Sequence, residues 1–147
     1  MPASTERAPI LRIRDLSVTF DTPAGPARAV RGMNLDVHAG DAVAVVGESG
    51  SGKSVTMLAT LGLLPRAHVT GSAMFRDAEL VGAPIDTLRS IRGRRISMVF
   101  QEPMTSLNPV LTIGRQLGLV MQAHDGSLGK KALRARAVEL LDQVAID

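Results

Sequence analysis

The first third of the chain contains short runs in which apolar residues stand among polar ones. Residues 10–20 show this pattern, which predicts a strand. A turn rich in proline and glycine follows, and a second strand is predicted over residues 28–37. The run AVAVVG at residues 42–47 is continuously apolar, which is typical of a strand buried on both faces.

The remainder of the chain is predicted to contain several helices and two further extended segments. The predicted helices span residues 53–64, 86–92, 113–123 and 130–144, and the predicted extended segments span residues 69–80 and 96–101. Pro65 ends the first of these helices. No internal repeat or low-complexity segment interrupts this order.

Composition excludes several classes of protein. The 147 residues suffice for one ordinary domain, with 45% hydrophobic and 21% charged residues as in soluble globular chains. The absence of cysteine excludes disulfides and thiolate-bound metals. Apolar stretches fall far short of the ~20 residues of a membrane span. Residues 1–9 lack the apolar core of a secretory signal, so a cytosolic location is expected.

The net charge of +3 raises the question of a nucleic-acid or membrane partner. The basic residues are scattered apart from Arg92, Arg94 and Arg95, and no aromatic residues accompany them for base stacking. A solvated basic surface is therefore favoured over a nucleic-acid site.

One motif points directly to chemistry, because residues 47–54 match the phosphate-loop pattern G-x-x-x-x-G-K-[ST] in full. Its residues are Gly47, Glu48, Ser49, Gly50, Ser51, Gly52, Lys53 and Ser54. Glycines allow backbone conformations that turn successive N–H groups toward an anion, and the start of a helix adds unpaired amides. Lys53 is expected to contact the β and γ phosphates, and the Ser54 hydroxyl to bind Mg²⁺.

The alternative is a Gly/Ser-rich surface turn that matches the pattern by accident. The predicted strand before the motif and the predicted helix after it favour phosphate binding. A phosphate loop by itself does not distinguish kinases, GTPases and ATPases, so other residues must make that distinction.

Three segments, the first of which contains the phosphate loop, make this distinction. VGESGSGKSVT at 46–56, GLLP at 62–65 and VFQEPMTSLNP at 99–109 resemble the ATP-binding subunits of ABC transporters, in the dipeptide and oligopeptide importer branch. The resemblance extends from about residue 10 to 147. It implies an α/β fold, a P-loop NTPase of the ABC ATPase type. Residues 1–101 would form the N-terminal β-subdomain from the Walker A motif to the Q-loop, and residues 102–147 the start of an incomplete helical subdomain.

The same resemblance assigns roles to individual residues. Gln101 matches the Q-loop glutamine, which reaches Mg²⁺ and the attacking water, although it could simply cap a strand. Phe20 and Val30 fall near the adenine-contacting positions, although either could belong to the core. Val55 stands where many relatives have threonine, and its backbone N–H can still serve the α-phosphate. Ser54 and Gln101 together form the implied Mg²⁺ site.

Other catalytic elements of the family have no counterpart in residues 1–147. No LSGGQ-like segment and no apolar strand ending in Asp-Glu follow Gln101, and His38, His68 and His124 precede the place of the switch histidine. We therefore expect residues 1–147 to be the N-terminal portion of a larger subunit. On their own they would bind ATP without efficient hydrolysis, because the aspartate and the general-base glutamate of the missing Asp-Glu strand are needed for turnover. A nucleotide-binding fragment or gene remnant without a transport role is the alternative, and a nucleic-acid-binding domain is a third.

The implied cofactors are ATP and Mg²⁺. The implied partners are transmembrane permease subunits, a second ATP-binding subunit in a homo- or heterodimer and, indirectly, an extracytoplasmic substrate-binding protein. No nucleic acid is expected as a partner. These partners imply a peripheral location on the cytoplasmic face of the inner membrane. Other subunits select the cargo, so the sequence leaves it undecided.

Overall fold

An antiparallel sheet organises the first part of the chain in the computed structural model, which describes residues 8–100 and 107–146. The strands are β1 (Leu11–Thr22), β2 (Gly25–Val37), β3 (Ala67–Phe75) and β4 (Ala78–Glu79), and the helices are α1 (Lys53–Thr60), α2 (Ile85–Ile91), α3 (Ile113–His124) and α4 (Lys130–Asp142). The strand order across the sheet is β2-β1-β3-β4, and every neighbouring pair is antiparallel. The predicted strands at 10–20 and 28–37 are thereby confirmed.

The chain divides into two compact units, Met1–Arg89 and Ser90–Asp147. The first contains the sheet and α1, and the second contains α3 and α4. The subdomain boundary after residue 101 that the resemblance implied stays a prediction.

The core of the first unit lies where β1 and β3 meet. Ile13, Leu16, Val18 and Ala73 are fully buried, with relative exposures of 0%. The spacing of three residues between Ile13 and Leu16 departs from strict strand alternation, and the β1–β2 register shifts at that point. An irregularity at Asp15, whose φ is 49°, therefore keeps both apolar side chains on the buried side.

Neighbouring strands accommodate this irregularity. The Asp15 amide donates to Asn34 Oδ1 at 3.0 Å, and the Gly32 amide donates to Ser17 Oγ at 2.9 Å. On β3, Gly71 has φ +95°, and a Cβ there would lie 2.5 Å from the Asp15 carbonyl oxygen. The irregular backbone of β1 is thus matched by neighbouring residues of β2 and β3 at the same position in the sheet.

The β3–β4 hairpin is fixed by the carboxylate of Glu79. It accepts hydrogen bonds from the Ser72 hydroxyl and from the amides of Ala73, Leu80 and Val81. Partial burial raises the pKa of Glu79, but these hydrogen bonds lower it by more, so its pKa lies below the ordinary value of 4.5. The predicted extended segment at 69–80 is therefore a hairpin.

Both units place helices close to the predicted positions, although α1 ends at Thr60 and not near Pro65, because Gly62 already has a left-handed backbone with φ of 62°. In α1, Thr56 and Thr60 are buried, and each hydroxyl donates to the carbonyl four residues earlier. In the second unit, α3 and α4 pack together, with Leu133 and Ala137 buried on α4. Thr112 caps α3, because its side chain accepts from the Arg115 amide at 3.3 Å.

Two predicted strands are wrong for the residues that the structure describes. Residues 42–47 carry no ladder pairing, and Val46 is 91% exposed. Residues 97–100 also lack strand structure, and Val99 is 95% exposed. A strand forms only with a hydrogen-bonded neighbour, and none of the four described strands pairs with either segment.

Candidate functional site

The glycine-rich loop at residues 47–52 leads directly into α1 within the first unit. Gly50 and Gly52 both adopt left-handed backbone conformations, with φ of 81° and 89°. The Ser51 amide donates to the Glu48 carbonyl at 3.2 Å and closes a tight turn. A Cβ at Gly47 would lie 2.7 Å from Ser51 Oγ, so the loop curls closely on itself. The glycine spacing of the motif is what permits this path.

Gly52 joins the loop to the sheet. A Cβ at this residue would lie 2.5 Å from the Ala29 carbonyl oxygen and 3.2 Å from Val30 Cγ2. Gly52 is itself buried, although most of the loop is exposed. The loop is therefore held against the middle of β2 at one point where only glycine fits.

The N-terminus of α1 presents unpaired amides. Gly52 is the N-cap and supplies no side-chain hydrogen bond, and its carbonyl accepts from the Thr56 amide at 2.8 Å. The amides of Lys53, Ser54 and Val55 precede the first intrahelical bond and so have no partner within the helix. These amides and the positive end of the helix dipole form a site for an anion.

The Lys53 ammonium lies over the loop. Its Nζ donates to the carbonyl oxygens of Gly47 at 2.7 Å and Glu48 at 2.6 Å, and to Ser51 Oγ at 3.2 Å. These acceptors hold the cation against the turn formed by residues 47–51, which immediately precedes α1. A phosphate bound by the amides would therefore lie close to a fixed positive charge.

An open cleft of about 570 Å³ adjoins the loop. Its walls come from residues 28–34 of β2 and from the loop region, including Val45, Gly47, Gly50, Ser51 and Lys53. A volume between roughly 300 and 1,000 Å³ is usual for sites that bind small molecules and cofactors. The cleft thus has room for a ligand larger than phosphate alone.

The predicted site residues are distributed unevenly around this cleft. Val30 lines it and is buried, whereas Phe20 is half-buried on β1 and is not part of the lining. Ser49 and Ser54 are exposed. Val55 is half-buried in the first turn of α1. Gln101 lies outside the described residues.

The donor set suits a Mg²⁺-nucleotide. Free amides and an ammonium match phosphate oxygens, and the exposed hydroxyl of Ser54 offers the oxygen ligand that Mg²⁺ prefers. Among the described residues, no group of three His, Asp or Glu side chains could hold a metal ion by itself.

Sequence reasoning missed part of the cleft wall. Arg28, Ala29, Arg31, Met33 and Asn34 all line it, and no motif marks them. The only signal available was their position in the strand that precedes the phosphate loop. Their proximity to the loop depends on the packing of Gly52 against β2, which is a tertiary contact.

The histidines considered from the sequence lie elsewhere. His38 contacts Asp41 at 3.2 Å, and His68 contacts Asp21 at 2.9 Å, both with exposed side chains. Neither lines the cleft. None of the helices in the described ranges is both long and apolar enough to cross a membrane.

Comparisons with known proteins agree with this geometry. A family profile described as ABC transporter matches residues 30–147. The chain is 48% identical over 140 residues to the oligopeptide transport ATP-binding protein OppD of Mycobacterium tuberculosis, 47% over 137 residues to OppD of Haemophilus influenzae, and 44% over 140 residues to the dipeptide transport ATP-binding protein DppD of Bacillus subtilis. These alignments cover 95%, 92% and 93% of this chain, but only 23%, 42% and 42% of the relatives.

Solved structures give the same fold. The ATP-binding cassette MJ0796, in a dimeric post-hydrolysis state bound to ADP and Pi, matches with a TM-score of 0.72 and 26% identity, over 93% of this chain and 58% of that one. The protein cbiO1 of Clostridium perfringens matches with a TM-score of 0.64 and 23% identity, over 96% of this chain and 52% of that one. The predicted α/β fold of the ABC ATPase type is confirmed, as is the resemblance to the peptide-importer branch.

Proposed function

The chain belongs to the ABC transporter family, and from this premise we propose that it is part of the ATP-binding subunit of a peptide-type importer. The phosphate loop carries the proposal, because it joins free helix amides, a fixed ammonium and a roomy cleft at one point. Relatives named for oligopeptide and dipeptide transport support the class of cargo. The chain spans 23% to 42% of the length of these relatives, so the activity concerns the whole subunit.

Within this proposal, the loop and the first turn of α1 bind the phosphates. Residues 47–55 supply the amides, Lys53 contacts the β and γ phosphates, and Ser54 binds Mg²⁺ together with Gln101. The exposed Ser54 hydroxyl supports its role. Val30 supplies an apolar contact for adenine, which its place in the cleft wall supports. Phe20 is the second proposed adenine contact.

The proposed partners follow from the family. They are permease subunits in the membrane, a second ATP-binding subunit and, indirectly, a substrate-binding protein. The dimeric form of the cassette MJ0796 supports pairing of two ATP-binding subunits. The subunit would then lie at the cytoplasmic face of the membrane, held there by its permeases.

The test of nucleotide binding is calorimetric titration of the chain with Mg-ATP. Replacing Lys53 with alanine removes a charged hydrogen bond to phosphate, which contributes about 1.5–3 kcal/mol, so the Kd is expected to rise by about 10- to 150-fold. Lys131→Ala on α4 is the matched control and should leave the Kd unchanged. Equal affinities for the parent and the Lys53 variant would contradict the proposal.

We further propose that residues 1–147 on their own bind Mg-ATP without efficient turnover. Hydrolysis needs a group that positions the attacking water, and none of the described residues lining the cleft is Asp, Glu or His. A single-turnover assay with labelled ATP should show product no faster than the Lys53→Ala variant. Rapid hydrolysis that the Lys53 substitution abolishes would refute this part of the proposal.

A further inference from the structure

Two arginines of β2, Arg28 and Arg31, stand at the wall of the cleft. Both are exposed, and both line the same cleft as Lys53. Within the part of the chain that the structure describes, neither side chain has a hydrogen bond, ion pair or ring contact. Their guanidinium charges are therefore available to a ligand.

Two other arginines of the same sheet are paired with a carboxylate. Arg14 donates to Asp36 Oδ2 at 2.5 Å, and Arg12 lies 4.0 Å from the same side chain. No Asp or Glu belongs to the described cleft lining, which holds three cations with Lys53. The described cleft lining thus carries positive charge without an acidic side chain, whereas Arg12 and Arg14 are paired with Asp36.

The geometry holds these two charges beside the phosphate loop. Ala29 and Val30, the residues between the two arginines, are the ones that contact Gly52. Arg28 and Arg31 therefore originate on either side of the point where the loop meets β2. Because both residues belong to β2, their backbone positions relative to the loop are set by the sheet.

We propose that Arg28 and Arg31 attract the anionic nucleotide electrostatically and raise its rate of association with the cleft. A cleft lined by charges of one sign concentrates oppositely charged ligands and speeds their binding by about 10- to 1,000-fold. The inference rests on the proposed nucleotide binding and adds a role for residues outside the phosphate-loop motif. These arginines act on the approach of the ligand, whereas Lys53 and the amides hold it once bound.

The test is stopped-flow binding of a fluorescent ATP analogue with Mg²⁺ to the double variant Arg28→Gln/Arg31→Gln. At about 0.01 M salt, where screening extends over about 30 Å, the association rate should fall by about 10-fold. At about 1 M salt the screening length is about 3 Å, and the parent and the variant should agree within about twofold. A merely structural role would slow binding equally at both salt concentrations.

Two further variants control this experiment. Arg66→Gln removes the same charge from an exposed site outside the cleft lining and should bind at the parental rate. Arg28→Lys/Arg31→Lys keeps both charges and should also bind at the parental rate. The inference is overturned if the glutamine variant is unaffected at low salt, is slowed equally at both salts, or is not rescued by lysine. If the parent fails to bind the analogue at all, the proposed function itself is refuted.

Discussion

Replacing Gly52 with alanine should damage the loop far more than the same change at Gly50. The two residues have similar left-handed backbones, with φ of 89° and 81°. They differ in their surroundings, because a Cβ at Gly50 would meet nothing within 4 Å, whereas one at Gly52 would lie 2.5 Å from the Ala29 carbonyl oxygen. Gly50→Ala therefore serves as the matched control for backbone strain.

The expected losses of stability follow from two contributions, the left-handed backbone and the contact with the Ala29 carbonyl. A left-handed conformation costs an L-residue about 1–2 kcal/mol, and this cost applies to both variants. The contact at Gly52 is with backbone, so the loop or β2 must shift, and overpacking of this kind costs typically about 1–3 kcal/mol more. We expect the free energy of unfolding to fall by about 1–2 kcal/mol for Gly50→Ala and by about 2–5 kcal/mol for Gly52→Ala.

Urea unfolding followed by circular dichroism measures the difference, and titration with Mg-ATP shows whether the shifted loop still binds. The Gly52 variant should lose affinity as well as stability, because moving the loop displaces the amides at the start of α1. Equal destabilisation of the two variants would refute the reasoning, since it would mean that the contact with Ala29 carries no energetic weight.

Two other predictions concern contacts outside the loop. The lowered pKa of Glu79 means that its contribution to stability is fully present above the ordinary value of 4.5 and is lost as the pH falls through the lower folded value. Glu79→Gln should therefore flatten the acid limb of a plot of unfolding free energy against pH, and an unchanged limb would contradict the stabilising role of the Glu79 carboxylate. Thr112→Ala should destabilise the second unit by about 1 kcal/mol through loss of the α3 cap, measured by urea unfolding. Thr112→Ser keeps the hydroxyl and should retain the parental stability, so equal losses in both variants would exclude the cap as the cause.

Local sequence pattern was sufficient to locate several of the strands and helices. The apolar residues standing among polar ones in residues 10–20 and 28–37 correctly predicted β1 and β2, and the amphipathic segments near residues 113 and 130 correctly predicted α3 and α4. The position of the glycine-rich loop was also predicted from sequence, and Gly50 and Gly52 adopt the left-handed conformations that glycine permits. The adenine contacts of Phe20 and Val30 and the Mg²⁺ contact of Gln101 were inferred from the family resemblance and stay predictions.

Contacts between distant residues were decided only by the tertiary structure. The apolar run at 42–47 reads as a buried strand, yet Val43 and Val46 are exposed, because burial depends on a pairing partner that sequence spacing does not specify. The apposition of Gly52 and Ala29, and with it the placing of Arg28 and Arg31 beside the loop, likewise depends on how α1 packs against β2. The sequence by itself thus located the glycine-rich loop and suggested the phosphate chemistry that we propose for it, while the packing of the sheet determined which side chains lie beside it.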